Sequence, residues 1–312
     1  MEKTSRFSIL IPAYKSAFLS KCIESILAQT DSDLELVILN DQSPEDIDSI
    51  VESFKDQRIR YYKNEKNCGA YNIVDNWNKL LKLATGEFAI CMGDDDMLAP
   101  DCLEELCKLM LRYPNLDVYH SRTAVIDEKG EFTYVLQDRA EYENIFSFVR
   151  HRVEGWGMFI GDFCYRISTL RANGGFYKQP LAWGSDDITA YMAIGDKGIV
   201  HTAKATFYYR ISKYTISSDG NAKLKLRINI DTFNWLRNYL NGRKTITLED
   251  ELTRKAILTE FPRALQRWQE FALRKGLVNN RWSIFHFIIH HKKYQLSTKT
   301  LITSLYRLRN EQ

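Results

Sequence analysis

Short apolar runs alternate with stretches of helical spacing through the first 120 residues, and this alternation restricts the chain to a narrow class of folds. The runs are "FSILIPAY", "LELVILND", "IRYYKN", "EFAICM" and "LDVYHS". Between them, Phe18, Leu19, Cys22, Ile23 and Ile26 recur at helical intervals, and "SPEDIDSIVESF", "AYNIVDNWNKLLKLA" and "PDCLEELCKLMLRY" do the same. Runs this short, bounded by helical segments, read as buried strands of a mainly parallel α/β sheet with helices on both faces. Ser43 is expected to cap the second helix, with Pro44 at its first position.

A sheet of this type binds ligands outside the carboxyl ends of its strands. Four sets of polar residues are expected there: Pro12, Ala13 and Tyr14 after the first strand, and Asn40-Asp41-Gln42 after the second. Asn67 and Gly69 follow the third, and Asp94-Asp95-Asp96 the fourth. Three adjacent carboxylates repel one another unless a cation or hydrogen bonds compensate. Carboxylates on a tight loop suit a hard divalent cation that completes its shell with substrate phosphates. The alternative is a solvated Asp-rich turn leading into the helix at Pro100. Asp41, and a second acid pair at Asp186-Asp187 ahead of a helical pattern, favour the cation.

From Ser121 to about Ser218 the pattern is more aromatic. "EGWGMFIGDFCYRISTLRANGGFY" sets glycines around large rings, as in a shaped pocket, and "IVHTAKATFYYRIS" reads as a strand. Helical spacing resumes at Leu224, with further helices expected over 249–273 and 282–308 and Pro262 expected to kink or divide the first. A first domain over 1–220, with halves 1–120 and 121–220, therefore precedes a mainly helical extension over 221–312.

Net charge is +3, distributed as −8 over 1–220 and +11 over 221–312. A basic extension raises the prospect of an anionic partner, membrane surface or nucleic acid, against the plainer reading of solvated basic helix faces. In "RWSIFHFIIHHKKY" the aromatic and basic residues suit a membrane interface; the alternative is a helix packed into an all-α core. No run approaches the roughly 20 apolar residues of a membrane span, and the N-terminus lacks a signal-peptide core. The six cysteines lack CxxC spacing and read as reduced, buried thiols. These features point to a cytoplasmic protein, with peripheral contact at the membrane face. His286 and His290 are four residues apart but have no third ligand in view, so they read as structural.

In their order and spacing, "SILIPAY", "LELVILNDQS", "NCGAYN", "CMGDDDML", "GGF" and "GSDDITAYMAI" resemble the inverting family 2 glycosyltransferases, which have the GT-A fold. The resemblance covers roughly residues 6–220. It implies a nucleotide-sugar site, most often for a UDP-sugar, lined by Pro12, Ala13 and Tyr14, with Asp41 on the base, Asn67 and Gly69 nearby, and Asp94 and Asp95 in the family's DxD-type segment. Asp95 or Asp96 would reach a Mn²⁺ or Mg²⁺. Asp186-Asp187 matches the family's Glu-Asp pair, whose second member is taken as the catalytic base. Trp156, Trp183 and the turn at Gly174, Gly175 and Phe176 resemble the acceptor wall, and Tyr209-Arg210 the family's "YR". Gln42 stands where the family commonly has Gly, Gly93 where its first acid sits, and Asp186 where Glu is usual.

The resemblance implies metal-dependent, inverting sugar transfer to a saccharide or lipid-linked saccharide, as in bacterial surface polysaccharide biosynthesis. No nucleic-acid partner is expected. A catalytically silent nucleotide-sugar or carbohydrate-binding protein of the same fold is the alternative. A nucleotide-cofactor oxidoreductase would need a glycine-rich turn where this chain has "PAYKSAFL".

Overall fold

The computed structural model describes residues 5–212 and 221–310. Two compact units are formed, one from Met1–Phe148 and Trp156–Ser212, the other from Val149–Gly155 and Lys213–Gln312. The expected boundary near residue 220 lies outside the described residues.

The first unit is built on a ten-stranded sheet. Its elements in chain order are β1 (Phe7–Ala13), α1 (Leu19–Leu27), β2 (Leu34–Asn40), α2 (Ile47–Ser53), β3 (Ile59–Lys63), α3 (Ile73–Leu83), β4 (Phe88–Cys91), β5 (Met97–Leu98) and α4 (Cys102–Arg112). There follow β6 (Val118–Ile126), β7 (Phe132–Val135), β8 (Tyr142–Glu143), α5 (Ile145–Glu154), β9 (Phe163–Arg166), α6 (Ile167–Ala172), α7 (Ser185–Ile194) and β10 (Ile199–Arg210). The main strand order is β3-β2-β1-β4-β9-β6-β10-β5. The first four strands in that order are parallel, β9 is antiparallel to both neighbours, and β10 runs parallel to β6.

Near-continuous apolar runs formed β1, β2 and β4 because both faces of these strands are covered. Ile9, Ile11, Leu36, Ile38 and Ile90 join one core with Cys22, Ile23, Leu103 and Leu106 from α1 and α4. With side chains alternating along a strand, Leu10, Val37 and Leu39 are buried toward the other face. There α3 packs on β1 and β2. The second helix starts later than expected, because Asp46, rather than Ser43, accepts the Ser49 N–H as its cap. Ser43 is drawn away by Tyr14, whose carbonyl accepts its hydroxyl at 2.6 Å.

The second unit contains α8 (Ala222–Asn241), α9 (Leu248–Asn279), α10 (Ile284–Ile289) and α11 (Thr298–Asn310). Pro262 does not divide α9, which runs through it for 32 residues. Pro262 lies on the exposed side, while Ile257, Phe261 and Ala264 are buried around it. Packing on that buried side holds the turn despite the missing N–H. The segment 282–308 is instead two helices, interrupted after Ile289. Buried Gln269 binds α8 and the chain after α10 together, donating to the carbonyls of Leu226 and Tyr294 at 3.1 and 2.8 Å.

Candidate active site

The strand order reverses at β1, whose chain neighbours lead outward to β2 and β3 on one side while β4 lies on the other. A crevice opens at such a point. Asp94, just past β4, spans it: Oδ2 accepts the backbone N–H groups of Tyr14 at 2.7 Å and Lys15 at 2.8 Å.

The remaining loops are tied to this pair. The Asp41 N–H donates to the Ala13 carbonyl at 3.0 Å, and Glu45 accepts both the N–H and the hydroxyl of Ser16. Asp41 is buried, and its carboxylate accepts from Asn64 Nδ2 at 2.7 Å, Asn67 Nδ2 at 3.1 Å, the Cys68 N–H at 3.0 Å and the Cys68 thiol at 3.1 Å. It therefore organises the loop after β3. Gly69, with φ at 74°, lets that loop turn into the single helical turn at Ala70–Asn72. Among the predicted first-strand residues, Ala13 is buried, Pro12 half-buried, and Tyr14 exposed beside Asp94.

Arg210 completes the arrangement from below. Fully buried at the end of β10, it donates its N–H to Asp96 Oδ1 and its Nε to the Asp95 carbonyl, while Nη1 reaches the Asp127 carbonyl at 2.8 Å. Its guanidinium lies 4.5 Å from the centre of the Phe18 ring. In the sequence Arg210 is only half of a short motif; the signal that could have singled it out is an arginine directly after the aromatic run Phe207-Tyr208-Tyr209 at the end of a strand.

The three aspartates differ in what they touch. Asp94 is committed to the first loop and Asp96 Oδ1 to Arg210, whereas Asp95 is half-buried and turns its Oδ1 over Gly93, beside Asp96 Oδ2. A Cβ at Gly93 would stand 2.7 Å from Asp95 Oδ1 and 3.1 Å from Asp96 Oδ2, so an acid at that position would displace both. Burial and the Asp95 charge push Asp94 up to about 6, and the same two causes, in the same order, raise Asp96 well above the carboxylate range. Burial also raises Asp95. Carboxylates that resist ionising together in this way form a donor set that a divalent cation relieves. Among the described residues no three His, Cys, Asp or Glu side chains converge on one point. Asp95 Oδ1 and Asp96 Oδ2, both near Gly93, are the donors that would fit such a cation, the rest of whose shell would come from a ligand.

The second acid pair lies in the first turn of α7, behind Gly184, which takes φ at 77°. Anionic side chains are favoured at a helix N-terminus. Asp186 is half-exposed; Asp187 is 1% exposed, with the Tyr191 hydroxyl donating to it at 3.3 Å. Just ahead, Leu181 and Ala182 both hold positive φ, at 60° and 51°. Two such residues in succession store local strain, a common property of functional loops, and the letters "PLA" gave no sign of it. The turn at Pro180–Ala182 packs against the Ala70–Asn72 turn, which brings the acid pair's loop beside the loop organised by Asp41.

The aromatic residues divide. Trp183 and Trp156 are half-buried, and the Arg139 guanidinium lies 5.0 Å from the Trp156 ring centre. Phe176 is 2% exposed and meets Trp77 and Tyr165 edge-on, so it anchors its turn and offers no ring face to a sugar. Gly175, with φ at 92°, sits where a Cβ would collide with Asn78 Oδ1; it too serves the turn. The cysteines also divide: all are free, but Cys68 and Cys107 are only half-buried.

The sequence is 34% identical over 104 residues to a GalNAc(5)-diNAcBac-PP-undecaprenol β-1,3-glucosyltransferase of Campylobacter jejuni, covering 32% of this chain and 33% of that one. It is 30% identical over 132 residues to an uncharacterised glycosyltransferase of Haemophilus influenzae, covering 42% and 43%. The first-ranked curated relatives, from Rickettsia, are likewise matched over only 42% of their length. The fold is similar to that of TarS 1–349 of S. aureus in complex with UDP-GlcNAc, with a TM-score of 0.59, 17% identity and coverage of 88% and 89%. It is also similar to the mannosyltransferase PcManGT of Pyrobaculum calidifontis in complex with GDP-Man and Mn²⁺, with a TM-score of 0.55, 16% identity and coverage of 98% and 88%. These neighbours have the GT-A fold, and the sheet described above matches it. The sequence model of glycosyl transferase family 2 matches residues 8–173, more than half of the chain, and with strand ends and acid clusters in that family's order the chain belongs to glycosyl transferase family 2.

Proposed function

We propose that the protein transfers a sugar, with inversion, from a nucleoside-diphosphate sugar, a UDP-sugar foremost, to a saccharide or lipid-linked saccharide acceptor. The observation that carries this reading is the Asp94 bridge between the loops of β1 and β4, with Asp95 and Asp96 beside it at the reversal of strand order. The names of the C. jejuni relative and of TarS support a polyprenol-linked acceptor and a UDP-sugar donor respectively.

In this reading Asp187 takes the proton from an acceptor hydroxyl as its oxygen attacks the anomeric carbon. The new C–O bond forms as the bond to phosphate breaks, and the electron pair leaves with the nucleoside diphosphate from the opposite face. Asp186 lies at the more open end of the same helical turn and orients the acceptor. Asp95 and Asp96 would hold Mn²⁺ or Mg²⁺, which when bound supplies charge stabilisation to the diphosphate. Asp94 and the Tyr14 and Lys15 amides fix the loop that receives it. Asp41 holds the loop at Asn67 and Gly69 against the nucleotide base. Trp156 and Trp183 are the aromatic residues left to contact the acceptor.

The test is thermal unfolding of the full chain with UDP-, GDP- and dTDP-sugars, with and without Mn²⁺, since a ligand of the native state raises apparent stability. Donor turnover with and without acceptor then separates an enzyme from a silent binding protein. Asp187→Asn is expected to abolish turnover and spare donor binding, and Asp186→Asn to retain part of the turnover. Absence of stabilisation by every donor would overturn the reading.

A further inference from the structure

Residues 271–310 contain eight Lys and Arg and no Asp or Glu. Inside this acid-free stretch lies α10, a helix of six residues held to its unit by buried Ile284 and Phe287, with the Phe287 ring 5.5 Å from that of Tyr294. The other apolar side chains of the segment face outward. Trp282 is 78% exposed, Phe285 57% and Ile289 74%, with Ile288 also exposed. The Trp282 and Phe285 rings stack on each other with centres 6.0 Å apart. Arg281, Lys292 and Lys293, all exposed, flank this apolar group on both sides in the chain.

We propose that the surface formed by Arg281 to Lys293 docks on an anionic lipid bilayer. Sequence patterning left the core-packed helix at least as favoured as the membrane-facing one; burial of only Ile284 and Phe287 leaves Trp282, Phe285, Ile288 and Ile289 outside the core and supports the second. Trp282, Phe285 and the two isoleucines enter the boundary between headgroups and acyl chains, and the three cations engage anionic headgroups, each raising partition by roughly fivefold near such a surface. The element lies on the bilayer and does not cross it: at 1.5 Å per residue α10 is about 9 Å long, and no helix among the described residues is long and apolar enough to span. A second copy of the chain fits this surface poorly, because a two-fold contact would set an acid-free basic stretch against itself. Nucleic acid suits the cations but gives Ile288 and Ile289 nothing to bury against. The proposal does not rest on the transfer reaction.

The experiment is flotation of the full chain with phosphatidylcholine vesicles, with and without phosphatidylglycerol. The chain is expected to float with the anionic vesicles, less at high salt. Trp282→Ser with Phe285→Ser, and separately Lys292→Glu with Lys293→Glu, are expected to weaken flotation at least tenfold at unchanged thermal unfolding. Ile246→Ser, at an 83% exposed site elsewhere, is expected to float like the native chain. Should either double variant fold poorly, Trp282→Phe keeps an aromatic ring and is expected to float while losing part of the tryptophan quenching by brominated lipid. No flotation with anionic vesicles, flotation of the Trp282/Phe285 variant at native strength, a dimer that this variant dissolves, or equal binding to a DNA fragment in its place would each overturn the proposal.

Discussion

The backbone N–H of Arg210, the last residue of β10, donates to Asp96 Oδ1 at 3.0 Å, joining the end of the first unit's last strand to the acid loop after β4. The same residue holds the Asp95 and Asp127 carbonyls through its guanidinium. Arg210→Met keeps the stem but removes the donor from the Asp95 carbonyl, while the Asp127 carbonyl still accepts the Gly130 N–H at 3.0 Å, so the cost is that of one unmet group, about 1–3 kcal/mol when buried. Denaturant unfolding is expected to show a loss of that size, and in the proposed reading the donor's dependence on Mn²⁺ is expected to shift to higher metal. A variant with native stability and an unchanged metal titration would remove Arg210 as the support of the loop.

Gln42 holds φ at 50°, directly after Asp41. A left-handed conformation costs a non-glycine residue roughly 1–2 kcal/mol, which accounts for the glycine common at this position in the family. Gln42→Gly is expected to leave stability unchanged or raise it by up to about 1 kcal/mol, strain relief being partly offset by chain entropy. Gln42→Val is expected to destabilise, since a β-branched residue tolerates this region least. Midpoints of urea unfolding for the two variants check the pair.

Behind the strand-end loops lies a buried group of His120, His201, Asp162, Glu143 and Arg139. His120 and His201 face each other through Nδ1 at 3.1 Å, and Asp162 Oδ2 lies 3.4 Å from His120 Nε2. Burial pushes Asp162 up to about 8 and His201 down to about 3. An acid whose folded pKa is raised stabilises the fold below its unfolded value and loses that contribution as pH climbs toward 8. The lowered histidines act oppositely but only up to about 6.5, the unfolded histidine value. Stability is therefore expected to fall from pH 6.5 to 8, and Asp162→Asn to flatten that slope. Melting temperature against pH reads both.

Pro262 interrupts the hydrogen-bond ladder of α9 at an exposed position. Pro262→Ala restores one bond and removes the ring's clash, a change of up to about 3 kcal/mol in a helix interior. Thermal unfolding is expected to shift upward; a decrease would mean that the proline ring itself is needed for the packing of Phe261 and Ala264.

Much of the first unit was legible because its strands are buried on both faces, so "LELVILN" and "FAIC" had to be continuous apolar runs. The antiparallel entry of β9 between β4 and β6 was not, since pairing partners far apart in the chain leave no periodic mark. The break after Ile289 was not legible either: the apolar letters of α10 run on, but only Ile284 and Phe287, one turn apart, are buried. At the site, Asp41, Asp94 to Asp96 and the Asp186-Asp187 pair were visible as acids at strand and helix ends. That Phe176 faces the core and that Arg210 holds the acid loop depend on neighbours about a hundred residues away, Trp77 and Asp95, which spacing does not reveal.

The loops after β1, β2, β3 and β4 are hydrogen-bonded to one another through Ser43, Glu45, Asp41 and Asp94. Such a floor is cast when the chain folds, so in the proposed reading an incoming nucleotide would meet a mould already set and spend little of its affinity on ordering it. The wall running from Trp156 to Asp187 is tied to helices instead of to those four loops: Asn78 of α3 holds the N–H and the carbonyl of Phe176, and Thr189 and Ser185 of α7 accept the N–H groups of Tyr177 and Gln179. In the proposed reading, changes of sugar or acceptor would be written into the wall while the floor keeps the bonds made among its own four loops.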